Sequence, residues 1–102
     1  MERTVKHLSE MNGRVYAFCE DKETSAEFLH LAESEGFTFT DGESPCFKPV
    51  SDLVAVNHDG TINYVGAQGR IAYQSNAKFV NGESLIRVNV KRYLSGDDDY
   101  II

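Results

Sequence analysis

Beyond Gly36, the chain shows a succession of β-strand patterns without an amphipathic helix that could connect parallel strands. Residues 53–57 and 61–65 are rich in β-forming side chains and flank Asp59-Gly60, a dipeptide typical of tight hairpin turns. Strands joined without helical crossovers pair antiparallel. The sequence therefore predicts one α+β domain over residues 1–102, with a mainly antiparallel sheet of four to six strands.

One well-capped helix is predicted over residues 24–35. Thr24 and Glu27 have the spacing of a capping box, and Gly36 is placed to end the helix. Its apolar side chains fall on one stripe, so the helix should pack on one face of the sheet. A short N-terminal helix is predicted over residues 3–12, with Gly13 ending it.

The remaining segments are predicted from their side-chain patterns. Residues 14–19 are apolar on both faces, which is typical of a central strand. The strand predicted at 37–40 is a candidate parallel neighbour of this central strand. The other predictions are a loop over 41–52, a turn over 66–69, a strand over 70–74, a polar segment over 75–84 with Asn81-Gly82, an alternating strand over 85–90 and an acidic tail over 95–102.

Charge is separated along the chain. Residues 20–43 hold eight acidic residues and one lysine, a net charge of −7, whereas residues 70–92 hold five basic residues and one acid, a net charge of +4. Such separation can steer a charged partner. Glu33 and Glu35 lie near the negative end of the predicted helix, where acids do not stabilise it. They are therefore available for binding, or serve only solubility.

Two partner-binding surfaces follow from this charge distribution. The leading hypothesis is a non-enzymatic protein whose acidic helix face engages a basic groove on a host protein; a merely solvated face explains the same acids. The alternatives are a nucleic-acid-binding module, which the net charge of −6 opposes, and pairing of acidic and basic segments within one chain or in a homodimer. The acidic candidates are Glu20, Glu23, Glu27, Glu33, Asp41 and Glu43, and the basic candidates are Arg70, Arg87, Lys91 and Arg92.

Enzymatic, metal and cofactor chemistry is not expected. The three histidines are isolated in sequence, and no paired-cysteine or His-x-His motif is present. Cys46, in a Pro-flanked loop, is expected to be the more exposed thiol, and Cys19 a buried one.

Neither a membrane span nor a signal peptide is indicated. A cytoplasmic location is the default expectation.

The capped segment 21–29, the Gly36-Phe37 stop, Asp41-Gly42 and the hairpin arm 62–65 together resemble small α/β proteins encoded by phages and prophages of Gram-positive gut bacteria. The resemblance covers residues 14–92. Those relatives commonly carry a Trp where this chain has Phe39. The resemblance implies no catalytic residue. It implies that the protein binds and blocks host machinery, as anti-CRISPR and other anti-defence inhibitors that mimic nucleic acid do.

Overall fold

The computed structural model describes residues 3–80 and 82–102, which form one α+β domain, as predicted. The helices are α1 (Val5–Ser9), α2 (Lys22–Ser34), α3 (Ala67–Gln74) and α4 (Val90–Ser95), with a 3-10 helix at Pro45–Phe47. The strands are β1 (Arg14–Phe18), β2 (Thr38–Phe39), β3 (Leu53–Val56), β4 (Thr61–Tyr64), β5 (Phe79–Val80) and β6 (Glu83–Asn89).

The strands form one six-stranded mixed sheet in the order β2-β4-β3-β1-β6-β5. The predicted hairpin of β3 and β4 is confirmed as an antiparallel pair. β1 pairs antiparallel with β3 and parallel with β6, so that Tyr16 lies opposite both Ala55 and Arg87. The expectation that the strands flanking α2 are neighbours is wrong, because β3 and β4 separate β1 from β2.

β1 lies in the middle of the sheet, between β3 and β6, and both of its faces are covered. Val15 and Ala17 join the core beneath α1, α2 and α4, whereas Tyr16 joins a smaller cluster on the opposite face, where Tyr73 of α3 packs. Alternation along a strand sends successive side chains to opposite faces. A strand that is apolar at every position therefore needs cover on both sides, and the fold places helices on both.

Helix α2 begins before the predicted capping box. Asp21 is its N-cap, and the Thr24 N–H donates to Asp21 Oδ1 at 2.7 Å. Thr24 lies buried within the first turn and does not cap the helix. The predicted end is confirmed: Gly36 has φ +85°, and the Phe37 N–H donates to the Ala32 carbonyl at 2.9 Å. This is a Schellman motif, in which the left-handed residue is most often glycine.

The turn at 66–69 and the strand at 70–74 were wrong predictions, because Ala67–Gln74 is helix α3. No residue of α3 is fully buried, although Tyr73 packs against the cluster on the second face of the sheet. Gly69 is explained by packing: a Cβ there would lie 2.6 Å from Val65 Cγ1 and 2.8 Å from Tyr16 Oη. The following polar segment contains β5 and the start of β6, and Asn81 of its predicted turn lies outside the described residues.

The C-terminal segment corrects the prediction of an acidic tail over 95–102. The chain first forms α4, which the sequence analysis missed, and then returns to β6. The Asn89 N–H donates to the Tyr100 carbonyl at 2.8 Å, and the Ile102 N–H donates to the Arg87 carbonyl at 2.9 Å. Asp97, Asp98 and Asp99 are exposed, but their backbone belongs to the folded domain.

No helix in the described part of the chain is long and apolar enough to cross a membrane.

Gly13 provides a test of the packing at the start of β6. It lies beyond α1, whose C-cap is Glu10, so it does not end that helix as predicted. A Cβ at Gly13 would lie 2.5 Å from the Ser84 carbonyl oxygen and 2.9 Å from Ile86 Cδ1. We expect Gly13→Ala to lower the free energy of unfolding by about 1–3 kcal/mol in urea denaturation.

Gly66→Ala is the matched control, because a Cβ at Gly66 has no described atom within 4 Å. It should cost less than about 1 kcal/mol, the scale of a changed N-cap. Equal stability of the two variants would contradict the close approach of Gly13 to β6.

Candidate functional site

Three of the six predicted acidic residues lie on or just before the exposed face of α2. Glu23 and Glu27 line a broad groove of about 1000 Å³, whose wall also includes Leu31 and Leu94. Glu20 precedes Asp21, the N-cap of α2, and lines a separate cleft of about 260 Å³. In the described part of the chain, no hydrogen bond or ion pair engages these three carboxylates, and all three residues are exposed. They form the free acidic surface defined by Glu20, Glu23 and Glu27.

Bases also lie within this acidic region: Arg3 lines the same groove as Glu23 and Glu27, and Lys22 lines the cleft beside Glu20. Lys91 of α4 forms an ion pair with Asp21 at 3.3 Å. The hydrogen bonds from Thr24, with Lys91 beside it, hold the pKa of Asp21 below its usual value. Asp21, together with the nearby charges of Glu20 and Glu23, raises the pKa of Lys91. The acidic and basic segments of the sequence therefore meet in space, and the fold neutralises part of the charge.

The other three predicted acids support the loop that follows β2. The Cys46 N–H donates to Glu33 Oε1 at 3.3 Å. Lys48 Nζ lies 2.6 Å from Asp41 and 3.6 Å from Glu43. Hydrogen bonding to Lys48 lowers the pKa of Asp41 and raises that of the lysine. Glu33 therefore joins the loop to α2, whereas Asp41 and Glu43 pair with Lys48 within the loop, and none of the three is free for a partner in the way that the first three are.

Glu35 has a structural role that the sequence analysis missed. Its carboxylate accepts hydrogen bonds from the N–H groups of Val5, at 2.9 Å, and Lys6, at 2.8 Å. These are the first residues of α1, whose N–H groups have no partner within the helix. The expectation that stability does not explain Glu33 and Glu35 was therefore wrong for both residues.

The four basic candidates do not share a free surface. Arg70 forms an ion pair with Asp52 at 2.8 Å. Arg87 lies over the Tyr73 ring, at 5.4 Å from its centroid, and donates to the carbonyl oxygens of Tyr73 and Ala77 beneath α3. The remaining contacts are those of Lys91 with Asp21 and of Arg92 with the Asp99 carbonyl. All four side chains support the domain itself.

An exposed aromatic side chain lies in the segment that packs against α2. Phe47 is 83% exposed and belongs to the 3-10 helix, while Val50, three residues later, is 41% exposed. Ala26 and His30 of α2 line both the acidic groove and a small hollow bordered by Val50, so the two surfaces are continuous across α2. The sequence analysis did not single out Phe47, although its position between Pro45 and Pro49 marks an ordered, exposed segment.

The cysteines and histidines do not form a reactive centre. Both cysteines are free thiols. Burial raises the pKa of Cys19 to about 12, and partial desolvation together with the Glu33 carboxylate raises that of Cys46. His58 contacts Ser9 and Glu83. Among the described residues, no group of three His, Cys, Asp or Glu side chains could hold a metal ion.

Comparisons of the chain with protein-family models, with curated proteins and with solved structures gave no match.

The division between supporting and free acids leads to a stability prediction. Glu35→Ala removes the acceptor for two N–H groups of α1 and should lower the free energy of unfolding by about 0.5–2 kcal/mol. Glu27→Ala, on the exposed face of α2, should change it by less than about 0.5 kcal/mol. Urea denaturation of both variants measures the difference. A loss at Glu27 as large as that at Glu35 would show that this acid also supports the fold.

Proposed function

We propose that this protein is a non-enzymatic interaction module that binds a basic groove of a partner protein through the exposed face of α2. The observation that supports it most directly is the set of three exposed carboxylates, Glu20, Glu23 and Glu27, that form no hydrogen bond or ion pair with a described residue. Two of them border a broad groove on a regular helix. A regular helix that presents several negative charges is electrostatically complementary to a positively charged surface.

Phe47 is the apolar anchor of the proposed interface. The Glu33 contact with the Cys46 N–H and the ion pairs of Lys48 hold the backbone on either side of it. Its ring is nevertheless 83% exposed. Aromatic side chains held in place at low entropy cost are enriched among the residues that dominate binding energy, with charged residues around them. The proposed partner therefore offers an apolar pocket beside its basic groove.

The partner class follows from the acidic surface and from the resemblance to phage-encoded proteins. A groove lined with Lys and Arg that accepts phosphate also accepts spaced carboxylates. We therefore place the partner among host proteins that bind nucleic acid, with anti-defence inhibition as the proposed consequence. Direct binding of nucleic acid is the weaker hypothesis, because Arg70, Arg87, Lys91 and Arg92 are engaged within the domain.

The test compares two variants with the same change in net charge. Glu20→Gln/Glu23→Gln/Glu27→Gln removes the free acidic surface, whereas Asp97→Asn/Asp98→Asn/Asp99→Asn removes three exposed acids from the C-terminal segment. Each tagged chain is used to capture proteins from bacterial lysate, and the affinity for the purified partner is then measured. The first variant should bind at least about tenfold more weakly, a loss of about 1.4 kcal/mol, while the second retains binding.

Binding by the native chain should also weaken as salt rises, since exposed charges are screened. Equal affinity of the native chain and the Glu20/Glu23/Glu27 variant would refute the proposal. If the native chain and the Glu20/Glu23/Glu27 variant both recovered only nucleic acid, and in equal amounts, the binding surface would lie elsewhere on the protein and the proposal would be refuted.

A further inference from the structure

His58 joins three parts of the fold at one end of the sheet. It begins the turn between β3 and β4, and its Nδ1 lies 2.7 Å from the carbonyl oxygen of Ser9, the last residue of α1. Its Nε2 lies 3.0 Å from Oε1 of Glu83, the first residue of β6. One imidazole ring therefore connects α1, the β3–β4 turn and the β5–β6 hairpin.

Both contacts require the same protonation state. A backbone carbonyl and an ionised carboxylate only accept hydrogen bonds, so both ring nitrogens must donate. Only the imidazolium cation has two N–H groups. A neutral His58 can keep one of the two hydrogen bonds. Its other nitrogen then has no proton, so its lone pair faces an acceptor oxygen and the second hydrogen bond is lost. The shorter contact is that to Ser9, so the contact to Glu83 is the one expected to be lost.

The surrounding charges favour the cation on balance. The Ser9 carbonyl and Glu83 raise the pKa of His58 above its ordinary value of 6.5, while partial desolvation and Arg14 of β1 oppose them. Asp59 follows in the same turn, and its hydrogen bonds to Thr61 hold its pKa low, so it is ionised as well. A raised folded-state pKa contributes stability below the unfolded value, and this contribution is lost as pH rises through the folded-state value.

The hairpin held by Glu83 forms one edge of the sheet. Among the described residues, β5 pairs with β6 at two positions, Phe79 with Ser84 and Val80 with Glu83. Val80 and Leu85 pack against the buried cluster on that face. A short edge hairpin with few pairings opens at low free-energy cost. An added contact at Glu83 therefore has a measurable effect on how often the hairpin opens.

We propose that His58 is a proton-controlled latch: as the imidazolium it holds the start of β6 to the end of α1, and as the neutral ring it releases Glu83 and loosens the β5–β6 hairpin. Loosening exposes the contacts that Val80 and Leu85 make with the cluster on the second face of the sheet, the face opposite α2. The latch is therefore independent of the proposed partner binding.

Hydrogen exchange of the full chain by NMR tests this proposal between about pH 5 and pH 8. The reporter is the Leu85 amide, which donates to the Lys78 carbonyl at 2.9 Å. After correction for the intrinsic exchange rate, its protection should fall roughly two- to fivefold across this range, the scale of one half-exposed ion pair. In His58→Gln and Glu83→Gln, protection should not change with pH, and in His30→Gln the native response should persist.

The ring itself gives a second readout through its nitrogen chemical shifts. Both ring nitrogens of native His58 should carry protons below the midpoint, and Glu83→Gln should lower that midpoint. A pH-independent Leu85 amide in the native chain would overturn the proposal, as would a response that survives in both latch variants. An unchanged His58 midpoint in Glu83→Gln would overturn it as well.

Discussion

The parallel pairing of β1 with β6 joins the two halves of the chain, and most of the second half takes its position from it. With Ala17 opposite Val88 and Phe18 opposite Asn89, β6 ends beside the start of α2. The chain then enters α4, which lies against α2 and brings Lys91 to Asp21. The same pairing leaves the other edge of β6 open for β5 and for the C-terminal residues. The groove beside α2 depends on it, because Leu94 of α4 forms part of the wall of that groove.

In the folded chain, several basic side chains pair with or pack beside groups of the same domain and are not free to bind a partner. Lys91 enters the acidic region, Arg87 packs under α3, and Lys48 neutralises part of the loop acids. The separation of charge along the sequence therefore overstates the separation in space. Of the predicted acids, the three without a described hydrogen bond or ion pair are Glu23 and Glu27 on the exposed face of α2 and Glu20 just before that helix. The proposed interface depends on an apolar anchor as much as on charge, and that is the role proposed for Phe47.

The features predicted from sequence were those with local causes. The Asp59-Gly60 hairpin, the glycine stop of α2 and the β1 strand with apolar side chains on both faces each depend on residues close in the chain, and the exposure of Glu23 and Glu27 follows from the period of α2. The misses depend on distant contacts. Residues 70–74 have β-forming side chains, but Gly69 lets a helix lie on Tyr16 and Val65. Glu35 caps a helix thirty residues earlier, which no local spacing reveals.

The pairing of β1 with β6 is the claim to examine first, since the position of α4 and the neutralisation of Asp21 follow from it. A NOESY experiment on the isotopically labelled chain measures it directly. We predict backbone cross-peaks in a parallel register, with Tyr16 near Arg87, together with contacts between the Lys91 and Asp21 side chains. Cross-peaks that place β6 antiparallel to β1, or Lys91 remote from Asp21, would contradict this account of both the fold and the free acidic surface.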